Sequence, residues 1–246
     1  MRLLLVSDLH YSLRQFDWLV EQAAEVDVVV VGGDLLDITS TVDLKAQILH
    51  VDASLRAMAR VTTVVVASGN HDLTGRDADG EKAPLWFDDL RGEGIALDGD
   101  TVELDEMVLV VCPFWDGPVG KARLDRQLHD AVRPGDRLWT WVHHWPPLGS
   151  PTAWTGTKDY GDADLAGWIA ELSPDLVLTG HVHQAPFVDD GSWIDTIGPT
   201  RVLNAGREIG PVPASVTIEV RGGAVTATAV SSAGSDARSW RRDLPG

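Results

Sequence analysis

The stretch TTVVVASGNHD (62–72) decides how this chain is read. Its first half is a Val-rich apolar run, which suits a strand buried on both faces. Gly69 ends that run, and Asn70, His71 and Asp72 follow at its carboxyl end. In an open α/β sheet, that end is where ligands bind. The same construction recurs along the chain. LLLVS (3–7) leads into Asp8-Leu9-His10, VDVVVVG (26–32) into Gly33-Asp34, and PDLVLT (174–179) into Gly180-His181-Val182-His183. LWTWV (138–142) leads into His143-His144 in the same way.

Between the first three runs, FDWLVEQAAE (16–25) and VDLKAQILHVDASLRAMAR (42–60) carry apolar residues at helical spacing. A βαβαβ opening implies a parallel sheet with right-handed crossovers. A polar, Gly-containing stretch follows at 74–82, then a helix near 83–91 and short strands at 95–97, 101–104 and 107–112. Helices at 121–132 and 163–172 alternate with strands at 138–142 and 175–179. In the last third, WIDTIG, TRVLNA, ASVTIEV and AVTATAVS read as short β segments between Gly and Pro turns. The expected fold is α/β, with two sheets face to face and helices outside. One domain is expected over residues 1–232, followed by a loosely held polar tail at 233–246.

With 246 residues, 44% of them hydrophobic, the chain is long enough to bury a substantial core. Acidic residues number 37 against 20 basic, a formal charge of −17. Such a surface repels phosphate backbones, and no basic stripe offsets it, so long nucleic acids are not expected partners. Cys112 is the single cysteine, which excludes an intrachain disulfide and reads as a small buried hydrophobe. The first apolar run is too short for a signal peptide, and no stretch approaches a membrane span. A cytoplasmic protein is expected.

A pair of divalent cations ~3.5–4 Å apart needs a bridging carboxylate, several imidazoles and open positions for substrate. The strand-end residues supply that set without a thiolate, which points to Mn, Fe or Zn. Asp8 and His10 are separated by one residue, as are His181 and His183, so one loop can feed two ligands into the centre.

Taken in order, Asp-x-His, Gly-Asp, Gly-Asn-His-Asp, His-x-Pro and Gly-His-x-His resemble the motifs of the calcineurin-like metallophosphoesterases, over Asp8 to His183. The resemblance implies a four-layer αββα sandwich of two mixed sheets, with a dinuclear metal site at the strand C-terminal edge. It implies hydrolysis of small phosphodiesters or phosphomonoesters through a metal-bridging hydroxide. Asp8, His10 and His183 would hold the first metal. Asn70, a histidine of the 143–144 pair and His181 would hold the second, and Asp34 would bridge both. His71 would stabilise the transition state or protonate the leaving alkoxide, and Asp72 would orient His71 from behind. The run His143-His144-Trp145-Pro146-Pro147 is one residue longer than the family's common His-His-Pro-Pro. Counting back from the prolines selects His144; counting forward from the strand selects His143. His144 is the expected ligand.

Asp37 reads as a loop or helix-start residue, and Asn204 as a turn residue supporting the site from behind. Trp115, Trp145 and Trp154 lie in Pro- and Gly-rich loops near the histidine pair. They either stack a nucleobase or organic leaving group, or anchor their own loops. The stacking reading tips the expected activity toward diesters, cyclic nucleotides among them. The net charge counts against a nuclease. His71 and the complete ligand set count against a catalytically idle interaction scaffold. The expected partner is a small phosphate ester, with nucleotides among the candidates, and no membrane; the oligomeric state is open.

Overall fold

The computed structural model describes residues 1–131 and 133–242. The chain opens as β1 (Arg2–Val6), α1 (Leu13–Gln22), β2 (Val28–Val31), α2 (Leu44–Ala59) and β3 (Thr63–Val66). A small hairpin, β4 (Gly75–Arg76) and β5 (Lys82–Ala83), precedes β6 (Ile95–Ala96). Next come β7 (Thr101–Glu103), β8 (Met107–Val111), α3 (Pro118–Asp130), β9 (Leu138–Val142), α4 (Ala163–Leu172) and β10 (Leu176–Thr179). Five strands close the chain: β11 (Ile194–Ile197), β12 (Thr200–Asn204), β13 (Ser215–Arg221), β14 (Ala224–Ser231) and β15 (Gly234–Arg241).

Two mixed sheets result. One runs β15-β14-β13-β1-β2-β3-β6 and the other β11-β12-β10-β9-β8-β7. Strands β1, β2, β3 and β6 are mutually parallel, as are β8, β9, β10 and β12. The alternation of side chains across each strand builds three apolar layers. Leu3, Leu5, Val28 and Val30 face the second sheet, where Leu109, Val142 and Leu178 meet them. Leu4, Val6, Val29 and Val31 face outward onto Phe16 and Leu19 of α1 and Leu55 and Met58 of α2. On the far side, Trp139, Trp141 and Val177 pack under Leu124 of α3 and Trp168 of α4. The fold is the four-layer αββα sandwich, and burial on both faces is why its central strands read as continuous apolar runs. No helix among the described residues is long and apolar enough to cross a membrane.

Four expectations need correction or refinement. The helix near 83–91 is a six-residue 3₁₀ helix, Leu85–Leu90, directly after Pro84; its short apolar cluster Trp86, Phe87 and Leu90 is buried without a further turn. The polar stretch 74–82 contributes the β4–β5 hairpin, whose turn is held by Asp77 accepting from the Asp79 and Glu81 N–H groups. The polar tail is an edge strand: β15 pairs antiparallel with β14 over its whole length. An edge strand with one open face tolerates polar residues. Trp240 packs against the inter-sheet core, and Asp236 accepts from Trp193 Nε1–H at 2.9 Å. Helix α3 starts at Pro118, with proline in its first turn, ahead of the expected 121. Residue 132 and residues 243–246, included in the expected helix and tail, lie outside the described residues.

Candidate metal centre

The carboxyl ends of β1, β2, β3, β9 and β10 deliver the expected residues to one edge, where the loops are lashed together. Asp8 N–H donates to Gly33 carbonyl, His10 N–H to Asp34 carbonyl, and Gly180 N–H to His144 carbonyl, each at 3.0 Å. The backbone is strained there: Asp8, His10, Asp34 and His181 have φ of +56°, +42°, +54° and +66°. Non-glycine residues in the left-handed region are uncommon, and such strain concentrates at functional sites. Two motif glycines have steric reasons. A Cβ on Gly33, at φ +100°, would run into the His144 ring, and one on Gly69 into the Asp34 carboxylate.

Two groups of donors form around one shared carboxylate. Asp8 Oδ1 lies 3.2 Å from His183 Nε2, which lies 3.1 Å from His10 Nε2. On the other side, His181 Nδ1 lies 3.1 Å from Asn70 Oδ1 and 3.3 Å from His144 Nε2. Asp34 Oδ2 stands between them, 3.6 Å from His10 Nε2 and 3.4 Å from His144 Nε2. Asp34 Oδ1 is occupied by the His71 N–H at 2.8 Å. Asp8, His10 and His183 converge closely enough to share one cation, and so do Asp34, His144 and His181. His10, Asp34 and His71 form a third such group.

Charge is arranged to suit cations. Burial would raise the Asp8 and Asp34 carboxyls, but the imidazoles of His183 and His144 hold both below the ordinary value. Burial lowers His10 and His181 to about 4, so both rings are neutral with lone pairs available at pH 7. Buried carboxylates beside imidazole nitrogens, with no thiolate, are a donor set that fits hard or borderline divalent ions.

His143, also fully buried, takes no part in either group. Its ring stacks on Trp115 at 5.1 Å and 7°, and Nδ1 faces the Cys112 carbonyl at 3.4 Å. Burial pushes its pKa down to about 3, so it packs as a neutral ring.

His71 sits beside His10, ring centroids 4.5 Å apart, and its Nδ1 accepts from Ile38 N–H at 3.3 Å. Asp72 does not stand behind it. The Asp72 carboxylate is fully buried and accepts from the N–H groups of Leu35, Leu36 and Gly69 at 3.0, 3.1 and 2.8 Å. It clips the Asp34 loop to the Asn70 loop; three short backbone contacts outcompete a partly exposed imidazole for a buried carboxylate. The acid nearest His71 Nδ1 is Asp37, whose Oδ1 is 3.9 Å away. Sequence reading passed over Asp37 because nothing in GDLLD ties it to the distant His71. Asn204 does support the site: its Nδ2 donates to the Thr152 and Val182 carbonyls at 2.9 and 3.1 Å.

The three loop tryptophans separate. Trp145, half-buried, meets the His181 ring edge-on at 5.8 Å and packs on Phe114 at 4.3 Å. Trp115 lines a neighbouring cavity of about 530 Å³ that contains none of the expected ligands. Trp154 is half-buried and bridges to Asp159 in its own loop.

The chain is thus a two-sheet sandwich that gathers Asp, Asn and His at one edge. Residues 1–185 match the calcineurin-like phosphoesterase family, and the chain belongs to it. Among solved structures, a purple acid phosphatase from yellow lupin (Lupinus luteus) seeds has the same fold, with a TM-score of 0.66 at 14% identity. That likeness covers 99% of this chain and 54% of the lupin chain, so this chain spans about half its length. Yfce, a phosphoesterase from E. coli, is 16% identical with a TM-score of 0.48, covering 99% of this chain and 100% of that one. No curated protein sequence matches.

Proposed function

We propose that this protein hydrolyses small phosphate esters at a centre of two divalent ions, with phosphodiesters as the favoured substrates. The observation that carries the reading is the position of Asp34 Oδ2, 3.6 Å from His10 Nε2 and 3.4 Å from His144 Nε2. One oxygen between two imidazoles of separate donor groups is the arrangement a bridging carboxylate needs. Asp8, His10 and His183 would hold the first ion; Asn70, His144 and His181 would hold the second; Asp34 would serve both. Mn, Fe and Zn suit this nitrogen and oxygen set.

When bound, the ions supply positive charge that polarises a phosphoryl oxygen and acidifies water. The protein supplies the rest. Because His71 Nδ1 accepts from Ile38 N–H, the neutral ring carries its proton on Nε2, where it can donate a hydrogen bond that stabilises negative charge on the leaving oxygen. Asp72 holds the Asp34 and Asn70 loops in register. Trp145, half-exposed beside His181, offers an aromatic face to an organic leaving group, which favours diesters.

The test is turnover by Mn²⁺-loaded protein of p-nitrophenyl phosphate, bis-p-nitrophenyl phosphate and 2′,3′- and 3′,5′-cyclic nucleotides, with Asp34→Ala alongside. Diester turnover that disappears in Asp34→Ala supports the reading. Preference for the monoester moves the protein to the phosphatases. No turnover of any ester by protein carrying two ions contradicts the proposal.

A further inference from the structure

A cleft of about 310 Å³ opens beside the centre, lined by Thr155, Tyr160, His181, Val182, His183 and Gln184. His183 belongs to the donor group of Asp8 and His10, and His181 to that of Asp34 and His144, so the cleft touches both groups. Asp8, His10, Asp34 and His144 are buried, whereas His181 and His183 are half-buried. None of the six lining residues is acidic, in a chain with 37 acidic and 20 basic residues. A phosphate ester therefore meets no repelling carboxylate on this wall. Tyr160 is the bulkiest of the six and is 48% exposed, and none of the assignments above uses it.

The loop that carries Tyr160 is held by its own hydrogen bonds. Tyr160 N–H donates to the Ala153 carbonyl and Thr155 N–H to the Lys158 carbonyl, each at 3.0 Å, and Trp154 bridges to Asp159. The Thr155 hydroxyl closes the turn, accepting from Lys158 N–H at 3.1 Å and donating to the Lys158 carbonyl at 2.9 Å. The Asp159 carboxylate accepts from the Gly149 and Gly161 N–H groups, both at 2.7 Å, which engages the acid next to Tyr160 in sequence. Lys158 Nζ sits 4.5 Å from the Tyr160 ring centroid. Lys158 does not line the cleft, so its ammonium backs the ring from outside it. A tyrosine held in this way offers a large contact area and gives up little conformational freedom when a ligand packs on it.

A phosphodiester carries two organic groups, and two separate aromatic surfaces adjoin His181. Trp145 meets that ring edge-on from its packing on Phe114 and is not one of the residues lining the cleft; Tyr160 is. One surface can take the leaving group and the other the group that stays on phosphorus. We propose that Tyr160 is a specificity-determining residue that packs against the retained group, so that the substrate is a phosphodiester whose retained alcohol carries a flat ring, such as a nucleobase or an aryl group. This rests on the metal-centre reading above and narrows its substrate class.

Two chromogenic diesters with the same leaving group test it on Mn²⁺-loaded protein: thymidine 5′-(p-nitrophenyl phosphate) and methyl p-nitrophenyl phosphate. The expected kcat/KM is about tenfold or more higher for the thymidine ester, within the range that stacking of one base on an aromatic side chain supplies. The ratio is expected to fall to about threefold or less in Tyr160→Ala and to be largely kept in Tyr160→Phe, which retains the ring. A loop that merely lost its shape would slow both esters alike. Equal kcat/KM for the two esters in the wild type, a ratio that survives Tyr160→Ala, or a ratio lost equally in Tyr160→Phe overturns the proposal. Calorimetry with thymidine 5′-phosphate and methyl phosphate separates it from the hydrolase reading, because it needs no turnover. Binding of thymidine 5′-phosphate about tenfold or more tighter, lost in Tyr160→Ala, supports the role of Tyr160 even if neither ester is cleaved. Equal affinity for the two, or binding of neither, contradicts it even if both esters are cleaved.

Discussion

His144 Nδ1 lies 2.7 Å from the carbonyl oxygen of Gly32. A carbonyl only accepts, so that nitrogen carries the ring proton, and Nε2 is the atom turned toward Asp34. His143, one residue earlier, is turned onto Trp115 instead. Replacing each histidine therefore separates their roles. His144→Ala is expected to reduce bound metal from two ions per chain to one and to lower kcat by ~10²-fold or more, given that even partners of metal ligands cost ~10–100-fold. His143→Ala is expected to keep both ions and to lose about 1–3 kcal/mol of stability through the space opened against Trp115. Elemental analysis and urea unfolding check the pair.

Metal binding is expected to release a proton from His144. Burial alone would lower its pKa, but Asp34 and Asp8 beside it and the Gly32 carbonyl push it up to about 9 in the metal-free protein. The ring is then charged at pH 7, and a metal ligand must be neutral. Affinity for the second ion should rise by up to about tenfold per unit between pH 7 and 9, then level off. The metal-free protein behaves in the opposite sense: stability from the His144–Asp34 pair is fully present below the ordinary histidine value of about 6.5 and is lost as pH rises through about 9. Titration calorimetry in buffers of different ionisation enthalpy measures the proton directly. PH-independent affinity with no proton release would refute this.

His71 should matter most where negative charge builds up on a poor leaving oxygen. His71→Ala is expected to retain both ions and lose ~10²–10⁴-fold in kcat on esters of aliphatic alcohols. On p-nitrophenyl esters, whose leaving group departs as a stable anion, the loss should be much smaller. Equal losses on the two classes would assign His71 to metal binding, a role its place near His10 and Asp34 also permits.

Asp72 is expected to act through stability. Removing its carboxylate in Asp72→Ala leaves the N–H groups of Leu35, Leu36 and Gly69 without their acceptor, which should cost about 2–4 kcal/mol. Asp72→Asn, which keeps one acceptor oxygen, should cost less. Urea unfolding ranks the variants, and metal affinity should follow the same order because the clipped loops carry Asp34 and Asn70. Full stability in Asp72→Ala would show that the clip is dispensable.

What could be read from sequence was what each segment encodes by itself. A Val-rich strand followed by Asp-x-His or Gly-Asn-His-Asp fixes both the element and where its donors emerge, so the ordered run from Asp8 to His183 marked the sheet edge. Contacts between distant loops left no such trace. The Asp72 clip, the approach of Asp37 to His71 and the place of Tyr160 in a cleft with His181 and His183 each join segments that sequence spacing does not relate. The Gly234–Arg241 strand escaped notice because polar residues on an edge strand lack the apolar alternation that marks a buried one. The choice between His143 and His144 could not be made by counting, since it depends on which ring turns toward Gly32 and Asp34.

The most direct test of a two-ion centre shared by Asp34 is anomalous diffraction from crystals grown with Mn²⁺. Two peaks are expected ~3.5–4 Å apart on either side of the Asp34 carboxylate, one beside Asp8, His10 and His183, the other beside Asn70, His144 and His181. A single peak, or two peaks with Asp34 touching only one, would contradict the bridged centre on which the proposed hydrolysis depends.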